Sequence, residues 1–336
     1  MITFTDSDLP NYRHGGYEQQ TMERGSLRWQ RIFDEPFIAP MEDSCAPDAI
    51  TTPDILILNG MVHIFVGAVS QSQERIILLP LPPDRWKPSA PLSFPSETSV
   101  VLEPGPQSFD SQHVFDPAVV AQDEKLYLFY SAIGTGPDQI GAAISDDGIH
   151  FTKLPAPILV GRSPEVVIQD NLFSLFFVRD RPGQGYAIYL AQSKDCIQYE
   201  LVRNEPVLTA GQHGEWDDFE VTTPRIIQIN DCYYMIYAGL NRSDQKDIPR
   251  AFGLARSLDL INWEKYPHNP VFSCAEQGAW DDGAIWFGTP FQMHDTLYLL
   301  YEGGRLENIL DHSPALTQVG LADLPVQDFL AGILSW

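Results

Sequence analysis

Five copies of one short motif recur along the chain, and this repeat constrains the fold more than any other sequence feature. Each copy has a small or acidic residue, a proline and an apolar run, and a second, aromatic-rich run follows. The five prolines are Pro53, Pro117, Pro164, Pro224 and Pro290. Self-similarity at a roughly constant interval is typical of chains built from one repeated supersecondary unit. Each copy therefore supplies two adjacent strands.

Three of the copies continue with a strand of small residues that ends in Ser-x-Asp-x-x-x-aromatic. These segments are Ser145–Phe151, Ser193–Tyr199 and Ser257–Trp263. Serine and aspartate side chains can hydrogen-bond the backbone of a tight hairpin, so a ligand is not needed to explain them. The pattern predicts a third and a fourth strand in each copy, joined by a capped hairpin.

The connection between copies also recurs, as an apolar pair, a polar loop and then an aromatic residue before aspartate. It occurs in Val101–Asp110, Val207–Asp217 and Val271–Asp281. We interpret these aromatic-Asp pairs as packing and turn residues between the repeats. Because the proline motif, the hairpin and the connection all recur, it is improbable that the copies resemble one another by chance.

Four-stranded units repeated in series predict an all-β, five-bladed β-propeller with four antiparallel strands per blade. A two-sheet sandwich does not predict five equal copies. The last copy lacks an outer strand, whereas residues 27–38 resemble the outer strands of other copies, so we expect an N-terminal strand to close the ring. Residues 1–24 are then a polar extension, and residues 25–336 a single propeller domain.

Charge and composition limit the kinds of binding partner and the cellular compartment that we expect. With 45 Asp and Glu against 21 Lys and Arg, the net charge is −24, which disfavours nucleic acid and anionic membranes as partners. The four cysteines have no metal-binding spacing and are expected to be free thiols. The N-terminus does not resemble a secretion signal, and no stretch is apolar enough to span a membrane. We expect a cytoplasmic protein, with its oligomeric state left open.

Several motifs resemble those of the five-bladed propeller glycosidases, the superfamily that contains glycoside hydrolase families 43, 32, 68, 117 and 130. They are the Asp-Pro strand start with YLFYSA after it, the hairpin SDDGIHF and the connection WDDFEVTTP. The resemblance implies that the first strand of each blade lines a central channel. It also implies that three acids from the first three blades meet there and cleave a glycoside with two carboxyl groups.

The acids at the matching places are Asp54, Asp116 and Glu165. The resemblance implies that Glu165 donates the proton, Asp54 activates water and Asp116 orients the sugar and tunes the charge. Asp116 precedes its proline whereas the other two follow theirs, and residues two apart on a strand share a face. We therefore expect all three to face one channel. Asp48 is a second candidate for the acid of the first blade.

Other residues are candidates for binding substrate. Arg225 follows its proline and would join the same ring, where it could hold sugar hydroxyls or keep a carboxylate ionised. His113 and Glu220 lie four residues before their prolines, and Trp286 is the candidate for stacking on a sugar ring. No sequence pattern indicates a metal site or a cofactor, although the resemblance leaves a calcium ion in the channel open.

The predicted function is a glycoside hydrolase that acts on a small neutral saccharide or glycoside. A glycoside phosphorylase or a transglycosidase is the first alternative, and it would need a basic anion pocket. In family 43 the aspartate of blade 1 precedes the proline, and the glutamate of blade 3 commonly lies in a Glu-Gly-Pro context. Here Thr52 and Ser163 stand before the prolines of blades 1 and 3, and both candidate acids follow them. A sugar-binding propeller without catalysis, or one recruited to non-glycosidic biosynthetic chemistry, is therefore the second alternative.

Overall fold

A computed structural model describes residues 27–336, except residues 43, 59, 83–85, 87–88, 244–247, 311–316 and 335. The N-terminal extension expected over residues 1–24 lies outside the described residues.

The described strands form five antiparallel sheets, one for each copy of the repeat. Blade 1 contains Ala49–Leu58, Met61–Ser70, Gln73–Leu81 and Ser99–Leu102. Blade 2 contains His113–Gln122, Lys125–Ile133, Gln139–Ser145, Thr152–Lys153 and Leu159–Val160. Blade 3 contains Arg162–Gln169, Leu172–Arg181, Gly185–Ser193 and Glu200–Leu201. Blade 4 contains Glu220–Ile229, Cys232–Leu240, Ala251–Ser257, Glu264–Lys265 and Phe272–Ser273. Blade 5 contains Ala284–Met293, Thr296–Gly304, Gln318–Pro325 and Gln30–Arg31.

The first strand of each blade is the inner strand, and each inner strand contacts those of the two neighbouring blades. The ring is complete because the inner strand of blade 5 also contacts that of blade 1. The predicted five-bladed propeller is therefore confirmed. Its helices are short and peripheral: a 3-10 turn at Ser108–Asp110 and α-helices at Leu306–Leu310 and Val326–Ile333.

The core consists of five apolar clusters, each between two adjacent blades. One example packs Phe65 and Leu78 of blade 1 against Leu128 and Tyr130 of blade 2. The remaining clusters lie between blades 2 and 3, 3 and 4, 4 and 5, and 5 and 1. Because each blade buries both faces, removal of apolar area from water stabilises the ring as a whole.

The ring is closed by the N-terminal strand, as the sequence predicts. Gln30–Arg31 pairs antiparallel with the strand Gln318–Pro325, and Ile38 forms a further bridge to Val319. The last part of blade 5 is thus supplied from the opposite end of the chain.

The recurring aromatic-Asp connections place a buried aspartate between blade and connection. Asp110, Asp217 and Asp281 are each at most 1% exposed. Each accepts a hydrogen bond from a tyrosine hydroxyl and pairs with a cation. The sets are Asp110 with Tyr130 and Lys153, Asp217 with Tyr237 and Lys265, and Asp281 with Tyr301 and Arg31. These aspartates anchor the connections inside the fold.

The hairpins with Ser-x-Asp have the capped geometry that the sequence predicts. The Ser145 hydroxyl donates to Asp147 Oδ1 at 3.0 Å, and that carboxylate accepts the backbone N–H groups of Ile149 and His150. The same contacts recur at Asp195 and Asp259. Three copies of one turn thus fix the outer strands of blades 2, 3 and 4.

Candidate active site

Every inner strand contains a β-bulge near its middle, and this bulge organises the channel. In blade 2 the pairing register shifts between Phe115 and Ala118, so one extra residue stands opposite the second strand. The first bulged residue of each blade has a positive φ, although none of the five is glycine: Thr52, Asp116, Ser163, Thr223 and Phe287. Such backbone geometry is costly for β-branched or bulky residues and persists where the surrounding structure enforces it.

In blades 1 to 4 a proline follows the first bulged residue. A bulged position has no hydrogen bond to lose, so the missing N–H of proline costs nothing there. In blade 5 the bulge falls at Phe287 and Gly288, two residues before the comparable place next to Pro290. Thr289, and not Phe291, is therefore the structural counterpart of Arg225. The sequence alignment of blade 5 by its proline is wrong by two residues.

A layer at the level of the bulges joins the blades across the channel axis. Arg225, 1% exposed, donates from Nη2 to the carbonyl of Pro117 at 2.8 Å and from Nη1 to that of Pro164 at 2.7 Å. Its Nε donates to Thr289 Oγ1 at 3.1 Å, and that hydroxyl donates to the carbonyl of Pro53 at 2.7 Å. We call Arg225 and Thr289, with these carbonyls, the axial layer. It connects all five blades.

The axial layer separates two groups of acids. All inner strands start at the same end of the channel, so residues before the bulge lie on one side of the layer and residues after it lie on the other. Asp54 and Glu165 follow the bulge, whereas Asp116 is part of it. All three acids lie on inner strands along the channel, but the extra residue of the bulge breaks the alternation of faces, so Asp116 has different contacts from Asp54 and Glu165.

On the far side, Asp54, Glu165 and Arg225 line a cavity of about 170 Å³. Glu165 Oε2 lies 3.3 Å from Arg225 Nη1, and its other oxygen accepts the Ile226 N–H at 2.9 Å. Asp54 Oδ2 accepts the Val119 N–H at 2.6 Å. Burial raises the pKa values of Asp54 and Glu165, while the Arg225 charge opposes both shifts. Each carboxyl thus joins its own blade to the next one.

On the near side, Asp116 is the centre of a hydroxyl network. It is 1% exposed and accepts hydrogen bonds from Ser131 Oγ at 2.7 Å, Thr52 Oγ1 at 3.0 Å and Ser163 Oγ at 3.3 Å. Ser131 Oγ in turn accepts the Ser163 N–H at 2.8 Å. Thr52 and Ser163 occupy the bulge positions of blades 1 and 3, so the unusual backbone directs their hydroxyls to Asp116.

Two glutamates that the sequence reasoning missed lie beside Asp116. Glu302 Oε2 accepts the Thr52 N–H at 2.9 Å and lies 3.4 Å from the Thr52 hydroxyl. Glu74 accepts a hydrogen bond from the Thr51 hydroxyl. Burial raises the pKa of Glu302 to about 7 and that of Glu74 to about 8, and the Asp116 charge adds to both shifts. We call Asp116, Glu302 and Glu74, with the hydroxyls of Thr51, Thr52, Ser131 and Ser163, the acid chamber.

The signal for Glu302 was present in the sequence. Glu302 and Ser131 occupy the same register position on the second strands of blades 5 and 2, opposite the residue just before the bulge. Both follow the tyrosine of the aromatic run, in LLYEG and LFYSA. An acid inside an apolar run at a position that faces the channel indicates a site residue. Glu74 has no comparable signal, because it lies on a third strand.

The other sequence-predicted site residues divide between the mouth of the acid chamber and the surface. His113 Nδ1 accepts the Glu74 N–H at 3.3 Å, and Trp286 stands opposite Glu302 in the strand register. Glu220 is fully buried and accepts the Tyr186 N–H at 3.2 Å. Asp48 instead caps the hairpin between the second and third strands of blade 1, where it accepts the Gln71 N–H at 2.7 Å. The structure therefore brings His113 and Trp286 to the chamber and does not bring Asp48 to either group of acids.

No group of three or more His, Cys, Asp or Glu side chains in the described part of the chain is arranged to hold a metal ion. No described helix is long and apolar enough to cross a membrane.

Known proteins that are similar to this chain are named as carbohydrate-active enzymes. No family model matches the chain. A 1,2-β-oligomannan phosphorylase from Thermoanaerobacter sp. (strain X514) is 25% identical over 237 residues, which cover 64% of this chain and 72% of that protein.

Solved structures extend the comparison to nearly the whole fold. A β-1,2-mannobiose phosphorylase from Listeria innocua superposes with a TM-score of 0.69 at 12% identity, covering 92% of this chain and all of that one (100%). A GH43_1 enzyme from Xanthomonas citri, in complex with xylotriose, gives a TM-score of 0.62 at 17% identity over 86% of this chain and 89% of that one. The resemblance to five-bladed propeller glycoside hydrolase-like proteins is thereby confirmed.

Proposed function

We propose that this chain, with the fold of the carbohydrate-active propellers, cleaves a β-linked glycoside and that the acid chamber is its active site. The observation that carries the proposal is the convergence of Asp116 and Glu302 on one hydroxyl, that of Thr52, at 3.0 and 3.4 Å. Glycoside cleavage requires two carboxyl groups in opposite protonation states near one bond.

The surroundings of the acids support such a division of roles. The raised pKa values of Glu302, about 7, and of Glu74, about 8, keep a proton on these groups near neutral pH, which suits a general acid. Asp116 accepts hydrogen bonds from three hydroxyl groups, which fix the position of its carboxyl oxygens. In this proposal Glu302 protonates the leaving oxygen, and Asp116 acts as the base or stabilises the positive charge of the transition state.

A β-linked mannoside is the substrate class that we propose. The sequence relative and one of the structural neighbours are named for β-1,2-linked mannosaccharides. Trp286, half-buried at the mouth of the chamber, offers an aromatic face for the apolar side of a hexose ring.

Hydrolysis fits the chamber better than phosphorolysis. Phosphate would have to approach Asp116, the carboxylate that acts as the base in this proposal, and the cation that acts on Glu74 among the described residues is Arg162, whose charge lowers the Glu74 pKa. Phosphorolysis is the second candidate, because the sequence relative is named a phosphorylase and Arg162 could bind one phosphate oxygen. The two reactions differ in whether phosphate is consumed.

Glu165 as the proton donor and Asp54 as the base, the roles that the sequence predicts, are an alternative on the other side of the axial layer. Both residues line the far cavity, and the pKa of Glu165 is raised by burial. Their contacts to Arg225 and to backbone N–H groups also fit a purely structural role.

The test is an assay with β-1,2-mannobiose, with and without inorganic phosphate, in which mannose and mannose 1-phosphate are measured separately. We expect mannose without a phosphate requirement. We expect Glu302→Gln and Asp116→Asn to lower kcat by about 10² to 10⁴, and Glu165→Gln to leave kcat within a few-fold of wild type. The exposed Glu205 and Asp231 supply matched controls, Glu205→Gln and Asp231→Asn.

The opposite results have clear meanings. Mannose 1-phosphate formed only with phosphate would replace hydrolysis by phosphorolysis. Full activity of Glu302→Gln together with an inactive, folded Glu165→Gln would move the active site to the far cavity. No cleavage of any β-mannoside or aryl glycoside by the wild type would contradict the proposal.

A further inference from the structure

A second cavity, of about 240 Å³, lies between blades 3 and 4 and is separate from both groups of acids. Its wall includes Arg181, Gln184, Asp218, Phe219 and Arg242. Arg181 ends the second strand of blade 3, and Arg242 comes just after that of blade 4. Second strands run antiparallel to the inner strands, so both arginines lie at the end of the channel where the inner strands begin.

The guanidinium group of Arg181 makes few hydrogen bonds within the fold. Within the described part of the chain, its buried Nε has no hydrogen-bond partner. Its terminal nitrogens contact Gln184, at 3.3 Å for Oε1 and 3.5 Å for the carbonyl, and no described carboxylate lies within ion-pair distance. A buried guanidinium nitrogen without an acceptor is costly unless a ligand supplies one.

Arg242 adds a second cation to the same wall. Its Nε lies 4.0 Å from Asp218 Oδ2, and its side chain is 57% exposed. Asp218 already accepts the backbone N–H groups of Gly214 and Arg242, at 2.8 and 2.9 Å, and His213 Nδ1 lies 3.1 Å away. The single carboxylate of the wall is therefore engaged locally, and the guanidinium of Arg242 retains donors for a ligand.

One short path connects this cavity with the mouth of the channel. Arg181 pairs with Gly185, and the N–H of the next residue, Tyr186, donates to Glu220 at the start of the inner strand of blade 4. The cavity is thereby linked to the start of the inner strand of blade 4.

We propose that this cavity is a subsite for an oxyanion, a carboxylate or a phosphate, carried by a sugar. Planar guanidinium groups match the oxygens of both anions in a way that few other side chains do. Two cations against one carboxylate make the cavity locally positive on a chain of net charge −24. Phe219, on the same wall, can pack against the ring that bears the anion. Only the link to cleavage rests on the proposed function, since anion binding here does not require it.

The test is titration calorimetry at low ionic strength with three probes: D-glucuronate, mannose 6-phosphate and mannose. We expect at least one anionic probe to bind tenfold or more tightly than mannose, and the comparison of glucuronate with mannose 6-phosphate identifies the preferred oxyanion. Arg181→Gln and Arg242→Gln should each abolish this preference. Lys125→Gln, which removes an exposed cation at the other end of the channel, should keep it.

Equal binding of all three probes by the wild type would overturn the proposal. So would a preference that survives in Arg181→Gln, provided that urea unfolding shows this variant to be folded. Because no cleavage is measured, the subsite and the proposed function fail separately. Loss of cleavage in Glu302→Gln with intact anion binding bears on the acid chamber alone.

Discussion

Arg31 Nε donates to Asp281 Oδ2 at 2.8 Å, and this contact joins residues that lie 250 positions apart in the chain. Lys153 and Lys265 make the equivalent contacts to Asp110 and Asp217 at 2.6 Å, but each comes from the outer part of its own blade. In blade 5 the cation comes from the N-terminal strand. The repeat thus contains a place for one cation per aspartate, and the N-terminus fills the place that the last copy leaves.

Replacing Arg31 by alanine should lower the free energy of unfolding by about 3 kcal/mol, because Asp281 is fully buried and would lose the cation that balances its charge. Arg31→Lys should recover part of this loss, since a lysine pairs with the equivalent aspartate in blades 2 and 4. Urea unfolding of both variants measures the effect, with the exposed Arg28→Ala as control. Equal stability of Arg31→Ala and Arg28→Ala would show that the closing strand is not held by this contact.

Arg225→Met should destabilise the fold by about 3 to 5 kcal/mol, because it leaves buried carbonyl groups and the Glu165 carboxyl without their donor. Arg256→Met is the matched control, since Arg256 pairs with the exposed Glu264, and pairs of that kind contribute about 0 to 1 kcal/mol. Chemical denaturation measures both. A variant as stable as the control, with only its KM raised, would instead support the sugar-binding role predicted for Arg225.

The stability of the protein should fall as pH rises from about 5 to about 8. Glu74 and Glu302 have folded pKa values near 8 and 7, above the ordinary value of 4.5 that applies when the chain is unfolded. The folded state therefore binds more protons in this window, and the stability from these groups is fully present below pH 4.5 and lost above their folded pKa values. Each group gives a slope of up to about 1.4 kcal/mol per pH unit.

Denaturant unfolding between pH 5 and 8 measures this slope for the wild type and Glu74→Gln. The variant should show a shallower dependence on pH, whereas the exposed Glu205→Gln should follow the wild type. A flat wild-type profile, or the same slope in Glu74→Gln, would mean that Glu74 is ionised in the folded protein.

Gly253→Ala should lower the free energy of unfolding by about 1 to 3 kcal/mol through overpacking. A methyl group at this position would lie 2.6 Å from the rings of both Trp216 and Tyr237, which have little freedom to move. Thermal and urea unfolding measure the loss, and Tyr237→Phe, which keeps the ring, gives the separate cost of the hydrogen bond to Asp217. An unchanged stability of Gly253→Ala would show that the rings can shift.

The fold could be predicted because every level of the repeat encodes the same unit. The prolines mark the inner strands, the Ser-x-Asp turns mark the hairpins, and the aromatic-Asp pairs mark the connections. The segment at residues 27–38 could be placed because it resembles the outer strands of the other copies. Each of these signals lies within a few consecutive residues, so it can be recognised without knowing which strand pairs with it.

The site could be predicted only in part, because the face of a side chain depends on backbone geometry that residue spacing does not show. Asp116 and Glu165 are both next to a proline, yet the bulge places them on different sides of the axial layer. The bulge of blade 5 falls at Phe287 and Gly288, without a proline, so alignment on Pro290 does not give the correct register in that blade. Glu302 stands on a second strand, where the proline motif of the inner strands does not mark it.

The axial layer makes the channel a dead end. Arg225 and Thr289 bridge the carbonyl groups of four prolines at its midpoint, so under the proposed function a molecule that reaches Asp116 would meet a floor and not a passage. Under the proposed function, a saccharide can enter only with its terminal unit first, and the released sugar must leave by the route it came. Such an enzyme trims chains from their ends, one unit at a time, and has no means of gripping a chain along its middle.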